Sequence, residues 1–416
     1  MGPFQIAVAG AGTAGATAAA LLARAGHAVT VFERVADPQP VGAGILLQPT
    51  GQVVLARLGV LDAVAARSSP IDRLTAVRRG GKPLVDLAYR EVDPRLQGFG
   101  VHRGVLFETL LAAARGAGAE VRCGVGIAAT DVDRRGRWLV DAGGGRHGPY
   151  ELVIVADGSV SELHAAAPHV RVRTYPWGAL WLVADDPGFA ADRRLYQVVD
   201  GAHTLFGLLP TGLDPGRGVP IVSLFWSMHA ERVDAWRAAG LAAWRDAVLR
   251  IEPRAAPLLA SIDGLDRVLF ARYRDVAMWP WHGDRIVFLG DAAHATSPQL
   301  GQGANLALMD AMVLADALAA EPGVPRALAA YTHARRRPLA YYQLATRALT
   351  PFFQSDSRVL PWLRDRLFPL ARRLGWLRRR MTRTMAGLER GLVRRSLPVA
   401  ELIRQLPAPA EGEPRE

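Results

Sequence analysis

The sequence predicts an α/β fold in which a parallel-sheet domain is interrupted by an antiparallel β-sheet domain and followed by a C-terminal helical arm. Three observations predict it. A strand, a glycine turn, a helix and a second strand open the chain. Two further apolar strands, near residues 152 and 286, each lead to an Asp beside a Gly. Elsewhere the pattern changes, to alternating strands broken by turns and, after residue 340, to arginine-rich amphipathic helices.

The opening unit runs Gln5-Ile6-Ala7-Val8-Ala9, then Gly10-Ala11-Gly12-Thr13-Ala14-Gly15, then an Ala- and Leu-rich stretch to Arg24, Gly26 as a helix cap, and Ala28-Val29-Thr30-Val31-Phe32 ending at Glu33. Each part has a task at a Rossmann-like dinucleotide site. Gly10 permits the tight turn, Gly12 lets the backbone approach a pyrophosphate, and Gly15 lets the helix pack on the strand. The helix N-terminus offers free N–H groups and a positive dipole end. Glu33 has the spacing of an acid that binds a ribose hydroxyl. The glycines punctuate any signal-like apolar run and no basic segment precedes it, so a cytoplasmic location is expected.

Glu151 to Gly158 and Arg285 to Asp291 are the next two buried strands, ending at Asp157 and Asp291. In open α/β sheets, ligands gather at the carboxyl ends of strands. Both acids suit hydroxyl groups of an extended ligand, and both also suit helix N-caps. Asp291 is followed by a loop containing His294, Pro298, Gly301, Gln302 and Gly303, then by an apolar helix through Ala304 and Asn305. His294 reads as structural, not as a base.

This segment resembles the second FAD motif of the single-component aromatic hydroxylases, the p-hydroxybenzoate hydroxylase-like FAD monooxygenases. Asp157-Gly158 resembles their Asp-Gly motif, Val101-His102-Arg103 the segment whose arginine meets the FAD pyrophosphate, and Gly42-Ala43-Gly44-Ile45 the loop near the flavin. The resemblance spans residues 4–340. It implies a glutathione-reductase-type FAD-binding domain at 1–70, 95–170 and 276–340, a substrate domain at 71–94 and 171–275, and FAD contacts from Gly10, Gly12, Thr13, Ala14, Gly15, Glu33, Arg34, Gly44, Arg103, Ile127, Asp157, Gly158, Asp291, Pro298, Gly301, Gln302, Gly303, Ala304 and Asn305. The implied activity is hydroxylation of an aromatic or lipophilic small molecule with NADPH or NADH and O2, through a C4a-hydroperoxyflavin. Two positions depart from the family pattern: His164 stands where arginine is usual in the Asp-Gly motif, which bears on nicotinamide choice, and Pro49-Thr50 replaces Pro-Asn. No second glycine-fingerprint unit follows, so the nicotinamide visits transiently. A reductase of a prenyl or polyketide substrate on the same scaffold is the alternative activity, and a non-enzymatic flavin-bound module a further one; the halogenase segment Trp-x-Trp-x-x-Pro is absent.

The substrate half shows a hairpin around Asp200-Gly201, a strand from Val219 to Met228, two strands around Arg79-Gly80-Gly81, and helical residues 231–262 interrupted at Pro253 and Pro257. Gly143-Gly144-Gly145 reads as a hairpin tip. Trp181, Tyr196, His203, Trp226, His229 and Tyr273 are polar or aromatic candidates on these strands, with the face of each left open by register. No catalytic residue is assigned.

The chain has 416 residues, enough for about two to three domains, and half are hydrophobic. No run of 18 residues is purely apolar. The single cysteine, Cys123, excludes an intramolecular disulfide and a Cys-built metal site, and no metal is expected. The net charge of +11 resides entirely in residues 331–416, which hold 18 Arg against seven acids. A neutral body argues against nucleic acid as a partner. Leu360, Leu363, Leu367, Leu370, Leu374, Leu377 and Met381 recur at helical spacing among arginines, with Trp362, Phe368 and Trp376 as anchors and a break expected at Pro369. This basic arm, part of a helical region spanning 341–406, has three readings: docking on the body, a homodimer contact, or peripheral contact with an anionic membrane at its inner face. Residues 407–416 are expected to be a disordered tail.

Overall fold

The computed structural model describes residues 2–391 and 399–406. The 407–416 tail lies outside the described residues.

A six-stranded sheet runs in the order His282–Gly283, Ile286–Phe288, Leu152–Val155, Gln5–Ala9, Ala28–Glu33, Glu120–Cys123, parallel except for the two-residue edge strand. Its central strands are short and almost wholly buried, as expected for a sheet covered on both faces. Strand order reverses between Gln5–Ala9 and Leu152–Val155, so the ligand crevice of such a sheet opens at Gly10 and Asp157. Helices Thr13–Arg24, Arg103–Gly116 and Gly303–Ala320 form one layer, and the alanines of the first let the three approach closely. Helix Gly303–Ala320 is long and apolar enough to cross a membrane, yet it is mostly buried inside the protein.

The second large sheet has seven strands in the order Leu269–Met278, Val170–Asp185, Pro220–His229, Thr204–Leu213, Arg194–Asp200, Arg73–Arg78, Pro83–Ala88. All neighbours are antiparallel except Arg194–Asp200 and Arg73–Arg78, which run parallel. These two come from distant parts of the chain with no hairpin between them, so nothing constrains them to run antiparallel. One face of the sheet packs helix Val233–Leu249 through Val198, Phe206, Leu224, Trp226 and Trp244. That helix breaks at Gly240 (φ 80°), a further interruption before Pro253.

A small sheet, Gly44–Leu47, Gly98–His102 and Ser69–Ile71, bridges the two large ones. It fits because glycines remove side chains at the crossing: a Cβ on Gly100 would lie 1.8 Å from the Pro210 carbonyl oxygen.

The arm follows helix Val324–Phe353 as helices Val359–Arg373, Gly375–Met385 and Val399–Gln405. It docks on the body: Met385, Ala386, Leu388 and Leu402 join Leu46, Val53, Leu87, Tyr89 and Leu209 in one buried cluster, and Arg364 is fully buried against the Gly201 and Phe352 carbonyls. The expected break at Pro369 does not occur. Helix Val359–Arg373 continues through the proline, and the chain breaks instead at Leu374, which is extended (φ −88°, ψ 100°) before Gly375. One missing N–H is tolerated in a helix packed along one side; the turn is made where the chain changes direction.

Candidate active site

Gly10 has φ +97°, and a Cβ there would stand 2.6 Å from the Ala156 carbonyl oxygen, so only glycine fits between the first strand and Asp157. A Cβ on Gly15 would meet the Gly10 oxygen at 1.9 Å. Gly12 differs. It has ordinary extended dihedrals and open space, its nearest neighbour being 3.9 Å from a built Cβ. It caps helix Thr13–Arg24 without a side-chain partner, leaving the N–H groups of Thr13, Ala14 and Gly15 outside the helical ladder. Glu33 braces this loop, accepting from the Ala11 N–H at 2.9 Å and the Val35 N–H at 3.0 Å.

The motif residues meet in space. Gly10 abuts Asp157. A Cβ on Gly290 would touch both Ala14 and Ala307 at 3.2 Å or more, and one on Gly303 would lie 3.8 Å from the Asp291 carboxylate. Asp157 accepts from Ser161 Oγ at 2.8 Å, while its buried Oδ1 has no partner among the described residues. Burial pushes this carboxyl up, against the Ser161 hydrogen bond and the nearby charges of His164 and Arg34. Arg34 is exposed, and Gly126, next to Ile127, packs against its stem. Arg103 is also exposed, and neither arginine has an ion-pair partner among the described residues. The loop before Gly44 is held to it by His102, whose Nε2 meets the Gly42 oxygen at 2.9 Å, and by the Arg103 N–H, which donates to the Ala43 oxygen. His164 lies 2.7 Å from the Ala292 carbonyl and so ties the Asp157-Gly158 loop to the Asp291 helix. Asp291 sits exposed at the start of its short helix and caps nothing. Gly158 takes φ +92° in the turn after Asp157.

The second loop is clamped from below. Asp310, fully buried, accepts from the Gly290 N–H at 2.9 Å, from Arg335 Nε at 2.7 Å, and pairs with His294 Nε2 at 2.5 Å. Burial raises its carboxyl, but His294 and Arg335 outweigh that and hold it below the usual carboxylate range. His294 is thus held beneath the loop by this contact. Pro298 starts a short 3-10 turn, Gly301 is left-handed (φ 62°), and Gln302 Nε2 donates to the Met385 carbonyl of the arm at 2.5 Å. Asn305 donates to the Leu46 and Gly301 oxygens and accepts from the Gln48 N–H, joining this loop to the small sheet; Ala304 lies beside it in the first helical turn.

Beside Gln299 and Leu300 opens an apolar cavity of about 260 Å³. The seven-stranded sheet forms one wall with Leu74, Ala76, Val85, Leu87, Gln197 and Leu205. Helix Val324–Phe353 and the arm form the other, with Tyr341, Phe353, Phe368, Leu377, Arg380 and Met381. No His, Asp or Glu is among the described lining residues. None of the six polar or aromatic candidates on the strands reaches it. Tyr196 and Trp226 pack on the opposite face against helix Val233–Leu249. Trp181 stacks at 5.3 Å on Phe225. Tyr273 is half-buried, its hydroxyl raised by desolvation against a hydrogen bond from Gln354. His203 and His229 flank Trp177 in a separate, more open pocket of about 350 Å³ at the end of the sheet, which no motif residue lines. Sequence reasoning missed the Asp310–Arg335 pair, Gln197, and the arm as a cavity wall.

A parallel sheet with a glycine turn at its switch point, an acid at the next strand, and a second loop brought beside it by a buried ion pair defines a dinucleotide-binding oxidoreductase. Comparison narrows this. Residues 4–342 match the family described as "FAD binding domain". The chain is 32% identical over 339 residues to the 3-amino-4-hydroxybenzoate 2-monooxygenase of Streptomyces cremeus, covering 78% of this chain and 80% of that one. It is 31% identical over 358 residues to the kynurenine 3-monooxygenase of Salinispora arenicola, covering 80% and 76%. A solved structure described as a probable FAD-dependent monooxygenase from Pseudomonas aeruginosa, PqsL, superposes with a TM-score of 0.74 at 27% identity, over 84% of this chain and 96% of that one. The chain belongs to the FAD-binding family of aromatic-type monooxygenases. It is an FAD-dependent monooxygenase, with O2 and NADPH or NADH as co-substrates.

Proposed function

We propose that this enzyme hydroxylates a small aromatic molecule held in the cavity between the seven-stranded sheet and the loop from Pro298 to Gly303. The observation that carries this is the convergence of three distant loops on one crevice, the last of which also lines that cavity through Gln299 and Leu300. The relatives act on kynurenine and 3-amino-4-hydroxybenzoate by name, and PqsL has been solved with 2-aminobenzoylacetate; all are ring-bearing molecules.

The residues fit FAD on their own terms. An orphaned buried Asp157 oxygen, two unneutralised arginines and a glycine cradle at a helix N-terminus suit a ribose, a pyrophosphate and their charge. In this reading Gly10, Gly12, Thr13, Ala14 and Gly15 hold the pyrophosphate with Arg103, while Glu33, Arg34 and Ile127 hold the adenosine end. Asp157, Gly158 and Asp291 bind the connecting hydroxyls. Gly44, Pro298, Gly301, Gln302, Gly303, Ala304 and Asn305 frame the ring. Bound FAD supplies hydride acceptance and O2 activation. The protein's part is to orient the substrate ring and exclude water; with no carboxylate or imidazole among the described lining residues, the cavity suits rings already activated by a hydroxyl or amino group. The test is turnover of the FAD-loaded protein with NADPH or NADH under ¹⁸O2. One labelled oxygen in a hydroxylated product supports the reading; substrate reduction without oxygen uptake overturns it in favour of a reductase.

We also propose peripheral contact of the arm with an anionic membrane. Val359, Trp362, Leu367, Leu370, Leu374 and Trp376 are exposed, the two tryptophans at 54% and 67%. Arg358, Arg366, Arg372, Arg373 and Arg379 surround them with no ion-pair partner among the described residues, and Arg366 stacks over Trp362 at 4.3 Å. Aromatic and aliphatic side chains rimmed by arginine match an interfacial helix. A second copy of the chain is the competing occupant.

A further inference from the structure

The cavity holds one anomaly. On the sheet wall every lining side chain is aliphatic except Gln197. It pairs in register with Gly207 on one neighbouring strand and Ala76 on the other, both small residues. Its amide makes no hydrogen bond to any described residue. Gln197 is half-buried, and its amide faces the cavity at a position where the sheet could hold a leucine, as it does at Leu74 and Leu205. Of the other neutral polar groups on the lining, Tyr341 Oη meets Thr384 Oγ1 at 2.7 Å, and Gln299 gives its Nε2 to Gln354 Oε1 at 3.1 Å. Arg380, the one cation, is engaged within the protein. The arm contributes Phe368, Leu377 and Met381 to the lining, flexible or flat apolar groups that close around a chain. A buried carboxylate would find little here to offset its desolvation.

Resting on the reading of this cavity as the substrate site, we propose that its ligand is an uncharged aromatic compound bearing an aliphatic tail: Gln197 hydrogen-bonds the polar substituent of the ring, and Phe368, Leu377 and Met381 enclose the tail. The volume, just under the usual range of about 300–1,000 Å³ for ligand cavities, admits one small ring system and a short chain.

The experiment titrates the FAD-loaded full chain, without nicotinamide, with phenol and the 4-alkylphenols from methyl to pentyl, following the change in flavin absorbance. Affinity should rise about fourfold per methylene over the first members. 4-Hydroxybenzoate should bind more weakly than 4-methylphenol. Gln197→Leu should weaken every member by one common factor, about three- to tenfold, and leave the chain-length slope intact; Gln197→Asn should recover part of it. Met381→Trp, or Leu377→Phe if the tryptophan impairs FAD loading, should abolish the gain from the longer tails while phenol binds as before. A flat series, tighter binding of the carboxylate, or Gln197→Leu without effect overturns the proposal and leaves the cavity as the substrate site. Failure of every phenol to perturb the flavin in FAD-loaded protein overturns that underlying assignment as well.

Discussion

Replacing Gly12 and Gly15 separately by alanine separates a residue shaped by a ligand from one shaped by the fold. At Gly15 the added methyl would lie 1.9 Å from the Gly10 carbonyl oxygen and 3.1 Å from a Val8 methyl, so strand and helix must move apart. Overpacking of this kind costs about 1–3 kcal/mol, and Gly15→Ala should lower the melting temperature of the apoprotein as well as weaken FAD. At Gly12 the backbone is ordinary (φ −64°, ψ −173°) and the methyl meets nothing nearer than 3.9 Å. Glycine caps a helix better than alanine, so apoprotein stability should fall, but by no more than about 1 kcal/mol. FAD should nonetheless bind about 10- to 100-fold more weakly, since a methyl on the phosphate path lengthens at least one charge-assisted hydrogen bond worth about 1.5–3 kcal/mol. The assay is fluorescence titration of deflavinated protein with FAD, paired with thermal unfolding of the same samples. Retention of FAD affinity by Gly12→Ala within a factor of three would refute the assignment of this turn to the pyrophosphate.

Three further outcomes follow from the same geometry. Arg103→Met should weaken FAD about 10-fold or more without lowering apoprotein stability, because the guanidinium is exposed and has no ion-pair partner among the described residues; titration and unfolding read both. Asp310→Ala should cost about 3–5 kcal/mol in urea unfolding by leaving Arg335 buried and unpaired. Because the folded carboxyl sits below its ordinary range, its contribution is complete above about pH 4 and fades as pH falls below that, so the gap between wild type and Asp310→Asn should narrow only in acid. Vesicles containing phosphatidylserine should sediment the protein, neutral ones should not, and Trp362→Ser with Trp376→Ser should reduce binding about tenfold; equal binding by the double variant would remove the membrane contact, and a concentration-dependent dimer lost in that variant would replace it.

What could be read in the sequence was what lies close in sequence. Gly10 to Gly15 with Glu33 is one continuous stretch whose spacing carries its geometry, and the same holds for Gly290-Asp291 through Asn305. The clamp beneath them was hidden, because Asp310 and Arg335 are 25 residues apart on two helices and only packing brings their side chains together. Sheet faces were hidden for a different reason. Tyr196 attracts notice as an aromatic, yet alternation turns it to the face against helix Val233–Leu249 and gives the cavity to its neighbour Gln197. In the arm, the heptad-like leucines announced a helix correctly, but Pro369 was a poor guide to its end. A proline's effect depends on whether the freed carbonyl can be solvated, which composition does not reveal.

The FAD-binding family match ends at residue 342, whereas Ala345, Leu349, Phe353, Phe368, Leu377, Arg380, Met381, Thr384 and Met385 all line the cavity. On the proposed reading of this cavity, half of its lining is written beyond the stretch that carries the cofactor motifs, while Gln197 and the sheet wall lie within it. Exchanging the last seventy or so codons between homologues would offer new molecules to an untouched redox engine, provided the grafted helix again presents a carbonyl to Gln302.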